Sequence, residues 1–153
     1  MIKSTAKGNI FGTKAKHIAF AINTEGINDC GFAGQVAEYW PELANIGPQE
    51  LGTVLSKTIG DKTYHGLVCH SLKKGWGNEQ DKVIKACFDA INVDDNEVIS
   101  SIAIGTGFIG MASGANSRKI LCGMMESKKT IQLYGPELEE VKRIYAEERH
   151  VEQ

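Results

Sequence analysis

Two loops in this sequence combine glycines with polar residues at the ends of apolar runs, the composition that cradles an anion. The first is Asn23-Thr24-Glu25-Gly26-Ile27-Asn28-Asp29-Cys30-Gly31-Phe32-Ala33. It leaves an apolar strand through an asparagine and enters a helix through small residues. Small residues at a helix start let a ligand approach exposed N–H groups, which favour anionic oxygens. Asn23 offers donor and acceptor atoms together, suited to sugar hydroxyls. A plain strand-to-helix turn has the same composition, and for this loop alone the two readings weigh equally.

The second loop, Gly105-Thr106-Gly107-Phe108-Ile109-Gly110, spells the dinucleotide fingerprint GxGxxG between a strand and a helix. In a Rossmann unit that motif opens the fold, and the next strand ends in an acid. Here it comes late, and the strand after it ends Leu133-Tyr134-Gly135, so the whole-fold Rossmann reading fails. Its glycines still expose backbone amides able to wrap phosphates. Two titratable residues lie close to these loops in the reading. His70 ends an apolar strand, where a neutral imidazole can act as base near pH 7. Asp29 can align a water for attack. A local hydrogen bond for the histidine and a simple turn at Asn28-Asp29 are the bland alternatives.

The elements that must position these residues alternate. Ile2 to Lys7 and His17 to Ile22 read as strands, and Gly31 to Glu42 as a helix with Val36 and Tyr39 or Trp40 inward. Gly52 to Thr58 and Tyr64 to Ser71 read as strands joined by the turn Gly60-Asp61. Asn78 has the chemistry of an N-cap for a helix carrying Val83, Cys87, Phe88 and Ile91. A strand over Val98 to Ile104, a helix over Asn116 to Met125 and a strand over Thr130 to Tyr134 follow. Pro136 opens a last helix with Leu138, Val141 and Tyr145 as its inward stripe. Apolar strands separated by helices predict a three-layer α/β/α domain around a mixed, mostly parallel, six-stranded sheet. Ligands in such sheets sit beyond the carboxyl ends of the strands, which is where both loops fall.

Composition narrows the class. The 153 residues fit one domain, and a formal net charge of −2 offers no general field for a nucleic-acid backbone. Cys30, Cys69, Cys87 and Cys122 are scattered without a CxxC pair, which predicts reduced thiols, no zinc site and no thiol nucleophile. No apolar run reaches membrane-spanning length and no signal-type segment opens the chain, so the cytoplasm is the expected address. His17, His65 and His150 have no partner at an informative spacing. Trp76 reads as a loop tryptophan packed on the core, and Glu147-Glu148-Arg149-His150 as a solvated helix end.

From Lys7 to about Tyr134 the chain resembles a macro domain of compact, stand-alone type. Lys7-Gly8-Asn9-Ile10-Phe11 is similar to the family's opening K-G-D-I motif, and His17 to Asn23 to its buried second strand ending in asparagine. Gly31-Phe32-Ala33, leading to Tyr39-Trp40-Pro41-Glu42-Leu43, resembles the glycine loop and first helix. Ile104 to Gly110 is similar to the late phosphate loop, and Ile131 to Tyr134 to the last strand with its aromatic.

The resemblance implies an ADP-ribose-type ligand and no further cofactor. Gly8, Asn9 and Ile10 would meet the adenine, Asn9 standing where the family has an acid and keeping an oxygen that can accept from the amine. Tyr134 matches the aromatic that stacks on the base. Asn23 matches the asparagine at the distal ribose. Gly31, Phe32 and Ala33 would flank the diphosphate on one side and Gly105, Thr106, Gly107, Phe108, Ile109 and Gly110 on the other. It also implies either a hydrolase of ADP-ribose derivatives or a reader without turnover. For a hydrolase, free ADP-ribose 1″-phosphate and ADP-ribosylated macromolecules are the candidate substrates. Ala33 stands where one enzymatic branch has an aspartate, and His70 and Ile109 where another has a lysine and an aspartate. The residues left for catalysis are Asn23, His70 and Asp29.

Overall fold

The computed structural model describes residues 1–104 and 115–150. Six strands form one sheet in the order β1-β6-β5-β2-β4-β3. They are β1 (Ile2–Ala6), β2 (His17–Asn23), β3 (Val54–Ile59), β4 (Lys62–His70), β5 (Val98–Ser101) and β6 (Thr130–Tyr134). Every neighbouring pair is parallel except β3–β4, an antiparallel hairpin closed at Gly60-Asp61. The helices are α1 (Gly31–Ala37), α2 (Gln80–Asp89), α3 (Ala115–Glu126) and α4 (Leu138–Arg149).

Strand β2 is apolar at almost every position because it is sandwiched between β4 and β5 and covered on both faces. Ile18, Phe20 and Ile22 point into a core shared with Val36 of α1, Trp40 and Leu43. Ala19 points the other way, into a core built with Ile84 and Phe88 of α2, Ile120 and Leu121 of α3, and Val141 and Ile144 of α4. The result is a three-layer α/β/α arrangement with α1 and the 3-10 turns at Ile10–Gly12 and Pro41–Ala44 on one face and α2, α3 and α4 on the other.

Several local boundaries differ from the sequence reading. Helix α1 ends at Ala37, not Glu42, since Pro41 pushes Trp40 out of helical conformation (φ −132°, ψ 76°) and starts a separate 3-10 turn, Pro41–Ala44. Of the two aromatics there, Trp40 is buried and Tyr39 is exposed. The cap of α2 is Glu79, with φ −121°, rather than Asn78, whose carbonyl instead accepts from Lys119 Nζ at 3.0 Å. Pro136 stands just outside α4, which is capped by Glu137. Strand β3 begins at Val54, and β5 ends at Ser101.

Long-range pairings overturn two further expectations. His17 and His65, far apart in sequence, are bonded: His17 Nδ1 lies 2.9 Å from His65 Nε2. Ser56 Oγ, 2.6 Å from His65 Nδ1, and Glu97 Oε2, 2.7 Å from His17 Nε2, extend the chain at its two ends. The register that sets His65 beside Ala19 and opposite Ser56 creates it. The end of α4 is likewise no solvated tail. Arg149 joins Glu126 at 2.9 Å and Asp81 at 2.7 Å, and Arg118 pairs with Glu147 and Glu148, tying α4 to α2 and α3.

Candidate functional site

A cleft of about 930 Å³ runs along the carboxyl ends of the strands, a volume in the range of small-molecule sites. Strand order dictates its course. Ala6 of β1 pairs with Tyr134 of β6 at one end, and Gly135 N–H donates to Ala6 O at 3.0 Å. Asn23 of β2 pairs with His70 of β4 at the other. The exit of β5 lies between, where Ile102 and Ala103 line the floor.

Gly8, Asn9, Ile10, Asn23, Asp29, Gly31, Phe32, Ala33, His70 and Tyr134 all line this one cleft. The structure therefore brings together every sequence-predicted site residue that it describes. Gly105, Thr106, Gly107, Phe108, Ile109 and Gly110 lie outside the described residues. Sequence reasoning missed Phe11, Leu72, Ile102, Pro136 and Glu140, which also line the cleft. Of these, Phe11 alone stood in a motif quoted for the site, Lys7-Gly8-Asn9-Ile10-Phe11, and its ring stacks on Phe32 with centroids 5.1 Å apart. Phe32 also leans on Phe20 at 5.8 Å, so the wall beside Gly31 is a packed aromatic row.

At the β2 end, Asn23 is 5% exposed and holds its own loop. Its Nδ2 donates to Ile27 O at 2.7 Å, and its Oδ1 accepts from Ile27 N–H at 3.1 Å. Asn28, which also lines the cleft, accepts from Asn23 N–H at 3.3 Å and donates to Leu43 O at 3.0 Å, so its amide braces the loop. Gly26 allows the turn: its φ is +74°, and a Cβ there would lie 1.8 Å from Gly47 O. Asp29 is exposed at the rim. Gly31 opens α1 with φ +64°, and the first amides of α1 have no intrahelical acceptor.

His70 stacks on Trp76 with ring centroids 4.5 Å apart and planes at 23°. Burial pushes its pKa below the usual histidine value, with the Glu25 carboxylate opposing, so near neutral pH the ring is uncharged. Glu25 fastens the loop after β2 to the loop after β4. It accepts from Ser71 Oγ at 2.7 Å and from Leu72 N–H at 2.8 Å. Those bonds, Leu72 N–H first, draw its pKa down to about 2. Trp76 itself packs on the core under α2.

At the β1–β6 end, Asn9 caps the 3-10 turn Ile10–Gly12, its Oδ1 accepting from Phe11 N–H at 3.0 Å. Lys7 and Glu137 form an exposed ion pair of 3.1 Å beside it. Among the described residues no group of three or more His, Cys, Asp or Glu could hold a metal ion, and no helix is long and apolar enough to cross a membrane. Cys69, Cys87 and Cys122 are buried and Cys30 is exposed, all as free thiols. Burial raises the pKa of the three buried thiols.

No family model and no curated protein matches the sequence. Solved structures do. The macrodomain of Thermus aquaticus DarG superposes with a TM-score of 0.62 at 14% identity, over 87% of this chain and 97% of that one. Thermosipho africanus DarTG, solved in complex with ADP-ribose, gives 0.60 at 15%, over 90% of this chain and 42% of that one. An alphavirus P23pro-zbd gives 0.60 at 16%, and the chain, 96% covered, spans only 24% of that protein. At such identities the likeness is one of fold.

Proposed function

We propose, from the macro-domain fold of this chain, that its cleft binds ADP-ribose or a close derivative and hydrolyses the derivative at the distal ribose. One observation carries the reading. A single cleft across the strand ends has an aromatic, Tyr134, at one extreme and a polar pair, Asn23 and His70, at the other. Gly31 and the start of α1 flank its middle, where a diphosphate would sit. The complex of the Thermosipho DarTG with ADP-ribose supports the ligand assignment, 42% of that protein sharing this chain's fold.

In this reading the uncharged His70 takes a proton from a water that Asp29 aligns. The water's oxygen bonds to the anomeric carbon, or to the terminal phosphorus of ADP-ribose 1″-phosphate, as the bond to the leaving group breaks and that group carries off the electron pair. Asn23, holding the loop that bears Ile27 and Asp29, keeps the sugar seat in shape. The substrate is free ADP-ribose 1″-phosphate or an ADP-ribosylated macromolecule.

The chemistry at Ala33 and the stacking of His70 on Trp76 favour a second reading, a reader that holds the nucleotide without turnover. Neither aspartate nor lysine stands where the enzymatic branches of the fold carry them, and His70 has its ring face occupied. Incubation with ADP-ribose 1″-phosphate and with mono-ADP-ribosylated protein separates the two. Release of phosphate or ADP-ribose that is lost in His70→Ala supports the hydrolase. Calorimetric binding without release leaves the reader, and no binding at all removes both.

A further inference from the structure

Four side chains, none of which lines the cleft, form one unbroken hydrogen-bond chain. Ser56 Oγ lies 2.6 Å from His65 Nδ1, His65 Nε2 lies 2.9 Å from His17 Nδ1, and His17 Nε2 lies 2.7 Å from Glu97 Oε2. The two imidazole centroids are 5.1 Å apart, a separation that a 2.9 Å N···N contact reaches only when the ring edges face each other. The Glu97 carboxylate can only accept, so His17 Nε2 carries the proton between them. With one proton on each ring, His17 Nδ1 then accepts and His65 Nε2 donates. His65 Nδ1 is left with its lone pair toward Ser56 Oγ, and the serine hydroxyl donates to it. The carboxylate at the far end thus fixes both tautomers. Burial, with His17 beside it, pushes the His65 pKa down to about 4, so that lone pair is available at neutral pH.

A hydroxyl bonded to a neutral imidazole, whose other nitrogen is oriented by a further group, is the arrangement that activates a nucleophile. We propose that Ser56 is a nucleophile for acyl transfer, with His65 as its general base and a carboxylic ester as its class of substrate. Ser56 is exposed and His65 is buried behind it. β3, which carries Ser56, is the outer strand of the sheet. Amides on the free side of an edge strand have no ladder partner, which suits them to the oxygen of an acyl intermediate. Ser56 Oγ bonds to the acyl carbon as its proton passes to His65 Nδ1. The ester's alkoxide departs with its electron pair, takes that proton and leaves an acylated Ser56. Water reverses the step: its oxygen bonds to the acyl carbon, its proton goes to His65, and Ser56 Oγ departs and takes the proton back. His17 and Glu97 are positioning residues, and the carboxylate steadies through His17 the positive charge that forms. The activity is separate from that of the cleft, since His65 lies five residues before His70 on β4, about 16 Å along the strand.

The test gives the whole chain p-nitrophenyl acetate at about pH 8, above the ordinary histidine range, and follows p-nitrophenolate in solution and acetyl groups by peptide mass. Acetyl should appear on Ser56 roughly tenfold faster or more than on any other serine or threonine. Ser56→Ala should lose that share of the p-nitrophenolate release. His65→Gln should slow acetylation of Ser56 about hundredfold, the low end of what a general base contributes. Glu97→Gln keeps an oxygen that accepts from His17 Nε2 but removes the charge. Acetylation should slow about tenfold in it while the melting temperature hardly moves, a split that a merely structural bond would not produce. Glu97 is half-exposed, so its variant decides the matter should His65→Gln fail to fold. Ser56 acetylated no faster than other hydroxyls, or acetylation undiminished in either variant that folds, would overturn the proposal.

Discussion

His17 and His65 share a hydrogen bond of 2.9 Å inside a four-residue chain that runs from exposed Ser56 to Glu97 across three strands. His65 is 3% exposed, and burial, with His17 beside it, pushes its pKa down to about 4. Unfolded, a histidine titrates near 6.5. Between about pH 4 and 6.5 the unfolded chain therefore binds a proton that folded His65 refuses. Stability should rise with pH through that window and level off above it, by at most about 1.4 kcal/mol per pH unit from this group. Urea midpoints taken across pH 4 to 7 check this, and His65→Gln should flatten the slope. A midpoint that climbs as the solution is acidified would contradict it.

Gly26 and Gly47 give a paired test of backbone strain. Both have positive φ, +74° and +79°, but a Cβ at Gly26 would strike Gly47 O at 1.8 Å, whereas one at Gly47 meets nothing within 4 Å. Gly47→Ala should cost about 1–2 kcal/mol, the left-handed penalty alone. Gly26→Ala should cost about 3 kcal/mol or more, because the loop that carries Asn23 and Ile27 must move. Denaturant melts of the two variants decide, and equal losses would refute the clash.

Tyr134→Ala should weaken ADP-ribose binding by about 1–3 kcal/mol, the range for a base stacked on an aromatic ring. Calorimetry measures it, with ribose 5-phosphate, which has no base, as a control that should lose nothing.

Gly31→Glu should abolish ADP-ribose binding, since it would carry a carboxylate into the space proposed for the diphosphate. The position has open room around it, so the fold should survive despite the strain of φ +64°. Gly107→Glu should act alike if the second glycine loop faces the same diphosphate. Normal ADP-ribose affinity in Gly31→Glu would remove α1 from the site.

The sheet was readable in the sequence because its strands are short apolar runs with turn residues between them, as Phe20 and Ile22 of β2 illustrate. So was most of the cleft, since Asn23, His70 and Tyr134 end β2, β4 and β6, Gly31 opens the helix that follows β2, and strand ends converge. What escaped was contact between distant segments. The His17–His65 bond depends on the register of β2 against β4, which the side-chain pattern leaves open. Glu140 was invisible for a related reason: on a helix rich in glutamates, only the docking angle of α4 decides which one faces the cleft. The Arg149 cluster was misread because its partners, Asp81 and Glu126, belong to two other helices.

Glu25 uses both carboxylate oxygens to join segments that leave different strands, one after β2 and one after β4. The backbone bond from Thr24 N–H to His70 O, 2.9 Å, joins the same two exits. The β2–β4 end of the cleft is for that reason a single jaw, not two independent lips. Were the proposed ligand to place its distal ribose there, a bulky group on that sugar would have to fit the rim as built or part both links at once, since Ile27 cannot swing outward while Leu72 stays in place. A glutamate that lines no part of the cleft thus helps set the shape of its rim.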